Sequence, residues 1–252
     1  MAPPVPTTAA LFDARRLPDG LQALLAPDAP WEVLGALDGF VAGLQDRREG
    51  VIHPTAIVEG PVVLEEGAVI GPFAWVRGPA WIGTGAHVGH AAIVRGGCVV
   101  GPGAVVGHAS EVKHSLLLPG AKCPHFNYVG DSVVGADANL GAGVKLANLK
   151  NDGGSVRVAD VDTGLRKFGA AVGDGVQIGC NAVLAPGTII GAGATVYAGA
   201  VLRGVIEADT IVKHRPVVEH VRKRPDEGAA DPVGEAATDA TTDSAPVRGE
   251  PR

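Results

Sequence analysis

Aromatic residues are scarce in this chain, 4% of 252 residues. A core without aromatic volume has to be narrow and built from Val, Ile, Leu and Ala, which the hydrophobic fraction of 46% supplies. Cysteine is rarer still. Cys98, Cys123 and Cys180 are odd in number and show no CxxC spacing, which excludes a disulfide framework and a cysteine zinc site. No apolar run reaches the ~18 residues of a membrane-spanning helix. The opening MAPPVPTTAALFDARR lacks the charged region and apolar run of a signal peptide, so a cytoplasmic protein is expected. The net charge of −6 argues against a nucleic-acid partner. Glycine is plentiful, 37 residues, and Pro numbers 19, yet the apolar content is too high for a collagen-like or disordered chain.

What is present is a period of six. Ile52, Val58, Leu64, Ile70, Val76, Ile82, Val88, Val94, Val100, Val106, Val112 and Leu118 follow one another at that spacing, and four residues after most of them stands a small residue such as Ala56, Ala68, Ala86, Cys98 or Ser110. The period returns at Val172, Ile178, Leu184, Ile190, Val196 and Leu202. Neither a helix nor an amphipathic strand repeats every six residues. A coil of three short strands does: each hexad forms one side, the aliphatic residue and its small companion point inward, and successive coils pair about 4.8 Å apart. Glycines here serve the corners, so GTGAHVG is two ordinary hexads and not a phosphate loop.

The ends differ. Residues 1–50 form an N-terminal segment in which Trp31, Leu34, Leu37, Phe40, Val41 and Leu44 predict one amphipathic helix over 31–48, with Gly50 at its end, packing on or capping the first coil. Residues 51–216 form the β-helix. Residues 217–252, which include RPDEGAADPVGEAATDATTDSAPVRGEPR, are expected to be a disordered tail.

Residues 18 apart stack in such a coil. Arg77, Arg95 and Lys113 therefore form a column of cations, read either as a solvated surface or as a phosphate site. His90 and His108 stack likewise and read as structural or surface residues, since nothing acidic stands at matching positions. From Leu118 to Val134 the rhythm loses two residues, which predicts a distorted wall within EVKHSLLLPGAKCPHFNYVGDSVVGADANLGAGVKLANLKNDG. His125 lies in this slip, two sides of the triangle from Lys113. The two meet either across a corner or between neighbouring subunits.

The hexads are similar to those of the left-handed parallel β-helix acyltransferases. PHFNYVGD, NLGAG and ANLKND, in that order, resemble the acetyltransferase half of the bifunctional enzymes that make UDP-N-acetylglucosamine, the archaeal type in particular, over about 51–216. The resemblance implies an all-β, left-handed parallel β-helix, a homotrimer with sites between subunits, and acetyl-CoA as co-substrate with no metal. It implies His125 as general base, supported by Glu111. It places the amino-sugar phosphate on Arg95, Lys113, Tyr128, Asn139 and Lys167, and acetyl-CoA on Ala142, Asn148, Cys180, Ala198 and Arg215. The family's nucleotidyltransferase domain does not fit within 50 residues, so uridylyl transfer would fall to a separate enzyme. Cys180 stands where the family has Ser, Leu149 where bacterial members have Tyr, and the loop between Asn148 and Lys167 is long enough to cover the site as a lid.

The implied reaction is direct acetyl transfer to the free amine of glucosamine-1-phosphate. His125 takes the proton, Glu111 holds the imidazole, backbone N–H groups near Ala142 receive the oxyanion, and Arg95 with Lys113 fix the phosphate. Three alternatives differ in kind. A γ-class carbonic anhydrase needs three histidines, two of them five apart; His108 and His114 are six apart and lack a third. Another amino-sugar phosphate or a nucleotide-linked sugar fits the same fold. A non-catalytic trimeric scaffold would not need Glu111, Lys113, His125, Tyr128, Asn139 and Asn148 together.

Overall fold

In the computed structural model, residues 3–222 are described. Residues 47–212 wind into a parallel β-solenoid whose short strands stack into three sheets of nine, nine and eight strands, here called A, B and C in the order the chain visits them. The hexad period explains the architecture. Val58, Val76, Val94, Val112, Val129, Leu146, Leu184 and Leu202 lie in one register column on the inner side of sheet C. The small companions of the hexads, among them Ala68, Ala86, Ala92, Cys98 and Ala104, are fully buried in the same core. The interior holds no aromatic ring among the described residues. Burial pushes the Cys98 and Cys123 thiols up to about 12, so both behave as small apolar side chains.

The slip has a different form from the one expected. Leu117, not Leu118, points inward, and Leu118 joins the apolar layer outside sheet A. Each coil here is shortened by one residue, as the pairs Val112–Val129 and Leu117–Val134 show. Both losses fall at the corner from sheet C to sheet A. At that corner His114 and Asp131 occupy equivalent places in successive coils, both in the left-handed region (φ 44° and 47°). Serines replace the missing backbone partners: the Ser132 N–H donates to Ser115 Oγ (3.0 Å), and the Ala170 N–H to Ser132 Oγ (3.1 Å).

Two additions cover the outer side of sheet A. The N-terminal segment contains α1 (Thr8–Leu11), three 3₁₀ turns and α2 (Val33–Ala42). The helix expected over 31–48 is thus shorter and stops at Gly43, because the chain must enter its first strand at Arg47. Val33, Leu34, Leu37 and Val41 of α2 share one apolar cluster with Val63, Trp81, Val99, Leu116 and Val133 of sheet A. The segment therefore packs along a side of the solenoid. The insertion after Asn148 carries a hairpin, Arg157–Val158 with Val161–Asp162, and buries Val156, Val158 and Phe168 in the same cluster. The repeat also outlasts Leu202: Ile206 and Val212 still pack on the inner core. Of the tail expected over 217–252, residues 217–222 have no regular secondary structure, and the remainder lies outside the described residues.

Candidate active site

Sheet A is covered, so the chemistry-bearing residues collect on sheet C and its two corners. Arg95 and Glu111 lie one coil apart on sheet C, and Arg95 Nη1 donates to Glu111 Oε1 at 2.9 Å. Tyr128 stands in register above Glu111, and Gly130 above Lys113. The missing side chain at Gly130 matters: a Cβ there would stand 2.6 Å from Asn148 Nδ2 and 2.8 Å from the Tyr128 hydroxyl. Both polar groups lean into the space it leaves.

The centre of the arrangement is Asp131, which the sequence reading did not single out. Its carboxylate is 4% exposed and receives the Lys113 ammonium on both oxygens, each at 3.0 Å. His114 Nδ1 donates to Oδ1 at 2.8 Å, and the Asn148 amide donates to Oδ2. Burial works to raise the Asp131 pKa, but the hydrogen bonds from His114, Lys113 and Asn148 outweigh it and hold the carboxyl below its ordinary value. The interval of 18 that separates Arg77, Arg95 and Lys113 leads on to Asp131, but the shortened coil sets Gly130 above Lys113 and puts Asp131 in the place equivalent to His114. The exposed Lys167 lies across an isolated bridge from Leu149, and the Phe168 N–H donates to the Asn148 carbonyl, so the long insertion closes at its neck and returns Lys167 beside Asn148. Two cavities flank this group on sheet C. One of about 300 Å³ is walled by Trp75, Arg77, Ile93, Arg95 and Glu111. The other, about 890 Å³, lies between the insertion and the coils and is lined by Ala147, Lys150, Arg157, Ala185 and Arg203 among others.

A second group lies along the opposite corner, from sheet B to sheet C. Successive coils are tied there by Gly143 N–H to His125 O, Asn181 N–H to Ala142 O and Gly199 N–H to Cys180 O. His125, Ala142, Cys180 and Ala198 consequently stand in line, with the Cys180 thiol exposed. Arg215 follows the last strand of sheet B beyond the upper end of this line, and Asn139 lies on sheet B itself. Lower on the same corner, His90 and His108 stack with ring centroids 4.9 Å apart between the edges of Phe73 and Phe126. The His125 side chain is exposed and makes no hydrogen bond among the described residues; the Glu111 carboxylate is taken by Arg95 instead. Within one chain His125 and the Lys113–Asp131 pair stand at opposite edges of sheet C, with Glu111 and Tyr128 at the strand starts on the His125 side. Gly130 follows His125 by five positions, about 18 Å of extended chain at most.

The described residues contain no group of three or more His, Cys, Asp or Glu able to hold a metal ion, and no helix long and apolar enough to cross a membrane.

Comparison with known proteins agrees with the repeat. Residues 169–204 match the family described as Bacterial transferase hexapeptide (six repeats). The chain is 46% identical over 198 residues to the Bifunctional protein GlmU of Methanococcus maripaludis (strain C7), covering 77% of this chain and 48% of that protein. It is 46% identical over 96 residues to the Bifunctional sugar-1-phosphate nucleotidylyltransferase/acetyltransferase of Sulfurisphaera tokodaii, covering 36% of this chain and 24% of that one. The chain thus spans about half the length, or less, of these relatives, and the similarity falls on their acetyltransferase half. Among solved structures, the acetyltransferase domain of PglB from Neisseria gonorrhoeae, in complex with acetyl coenzyme A, overlaps 65% of this chain and 54% of its own at 20% identity and a TM-score of 0.26.

Proposed function

We propose that this hexapeptide-repeat chain, similar to the acetyltransferase half of bifunctional sugar-1-phosphate enzymes, is an acetyl-CoA-dependent N-acetyltransferase acting on an amino-sugar 1-phosphate, glucosamine-1-phosphate first. The observation that carries the reading is the cluster of Lys113, Tyr128 and Asn148 assembled around Asp131 and Gly130, with Arg95 beside it. Cationic donors for a phosphate, the Tyr128 hydroxyl for the sugar and the Asn148 amide for the acetyl donor converge on one face, and two cavities leave room around them.

In this reading Arg95, Lys113 and Lys167 hold the phosphate, and Tyr128 and Asn139 contact the sugar. Ala142, Asn148, Cys180, Ala198 and Arg215 receive acetyl-CoA. The amine nitrogen attacks the thioester carbonyl, forming the C–N bond. The C–S bond then breaks, CoA leaves as thiolate, and the amine proton passes to His125 and on to the thiolate. Backbone N–H groups near Ala142 face the developing oxyanion. A trimer brings the line of His125, Ala142, Cys180 and Ala198 of one copy against sheet C of the next. The exposed apolar residues Val51, Ile57, Phe73, Phe126 and Val201, all on sheets B and C or the corner between them, suit such contacts.

A thiol-release assay with acetyl-CoA and glucosamine-1-phosphate tests the reading. Turnover by the wild type and its loss in His125→Ala are expected; absence of turnover with every hexosamine-1-phosphate would refute it. A nucleotide-linked amino sugar is the second reading, favoured by the cavity beside Arg95, where the Trp75 ring suits a base and Arg77 a second phosphate. A lower KM for the nucleotide-linked sugar in the same assay would select it.

A further inference from the structure

The candidate site is tied to an element outside the repeat. His114 stands between two carboxylates: its Nδ1 is 2.8 Å from Asp131 Oδ1 and its Nε2 is 2.9 Å from Asp38 Oδ1, which α2 carries. A neutral imidazole has a single N–H and cannot donate at both ends, whereas ionised carboxylates only accept. Both contacts are satisfied together by the imidazolium. The Asp131 that His114 holds is the same carboxylate that receives Lys113 and Asn148.

We propose that Asp131 and His114 are positioning residues of the acceptor site and that α2 is part of that site, with the path Asp38–His114–Asp131 fixing where the Lys113 ammonium and the Asn148 amide stand. This rests on the amino-sugar-phosphate reading of sheet C. The charge balance shows what the imidazolium adds. Lys113, Asp131 and Asp38 together carry one net negative charge, so with a neutral His114 a phosphate arriving at Lys113 would meet an anionic group. With His114 charged the four groups balance, and that repulsion is removed. The groups facing His114 are Asp38 from α2, Asp131 and Lys113 from the solenoid, and the Cys98 thiol, which burial keeps neutral. Gly97, in the coil below, leaves the ring its place: a Cβ there would stand 3.0 Å from His114 Cδ2.

The pH dependence follows in sign. The hydrogen bond to Asp131 raises the His114 pKa most, desolvation opposes it, and the charge of Asp38 adds to the rise. The cation is therefore complete below the ordinary imidazole value of about 6.5 and is lost as pH rises through the higher folded value. Acceptor binding should weaken on that alkaline limb.

The test combines His-selective ¹⁵N NMR of the full chain with steady-state kinetics across pH. His114 should titrate above the ordinary value, and Asp38→Asn and Asp131→Asn should each lower it. Asp131→Asn should raise the acceptor KM about tenfold or more, the loss of a charge-assisted contact, and raise the acetyl-CoA KM less, through Asn148 alone. His114→Asn should flatten the alkaline rise in acceptor KM with kcat little changed. Asp38 is 65% exposed, so Asp38→Asn leaves the core intact and keeps the test open if an Asp131 variant fails to fold. An active enzyme in which His114 titrates at or below the ordinary value, or in which the variants keep the wild-type acceptor KM and pH course, would overturn the inference. An inactive wild type would instead refute the functional reading.

Discussion

At the scale of single residues, Gly130 shows how closely the site is fitted. A methyl group there would meet the Asn148 amide and the Tyr128 hydroxyl well inside contact distance. Gly130 itself has ordinary backbone dihedrals, so Gly130→Ala strains the site and not the turn. The expected result is an acceptor KM raised about tenfold with a melting temperature within a few degrees of wild type, read by steady-state kinetics and thermal unfolding. Cys180 offers an independent mark for the other corner. Of the three thiols it alone is exposed. Iodoacetamide should modify Cys180 and leave Cys98 and Cys123 untouched, and saturating CoA should slow the modification, as peptide mass mapping would show. At this scale the sequence was legible wherever a residue type stood at a stacking interval. Arg95 and Lys113 could be picked from spacing alone. Asp131 was not legible in this way, because its role depends on the shortened corner, which brings its carboxylate to Lys113, His114 and Asn148 at once.

Elements come next, and here the corner lengths decide the geometry. A full hexad repeats its outward side chains at the same place in every coil. Removing one residue between Val112 and Leu117, and again between Val129 and Val134, puts His114 over Gly97 and Asp131 over His114. The deficit of two was visible in the sequence, but its division into two single losses was not, because Leu116, Leu117 and Leu118 are all aliphatic and any of them satisfies the period. The N-terminal helix was visible through Leu34, Leu37 and Val41, whereas its docking place was not: the outward residues Val63, Trp81, Val99 and Leu116 show an apolar side to sheet A only after the coil is built. Leu37 is fully buried in that seam. Leu37→Ala should lower stability by about 2–5 kcal/mol in urea unfolding, the range for a buried leucine whose cavity does not close. Because α2 also carries Asp38, the same variant should raise the acceptor KM more than the acetyl-CoA KM.

For the molecule as a whole, the three faces have different fates. Sheet A is sealed by the N-terminal segment and the insertion, while sheets B and C keep exposed apolar side chains such as Val51, Ile57 and Val201. The two candidate half-sites sit on opposite edges of sheet C, joined by no hydrogen bond among the described residues. The proposed function then takes a specific form: a catalytic centre is expected where the His125 edge of one copy meets the Lys113 edge of another. Mixing two inactive variants measures this directly. His125→Ala and Lys113→Ala chains, unfolded together and refolded into mixed trimers, should recover about a quarter of wild-type activity, since a random pairing of neighbours places two intact edges together at about one interface in four. Mixed trimers, verified by mass, that stay as inactive as either parent would contradict it and place the whole site within a single chain.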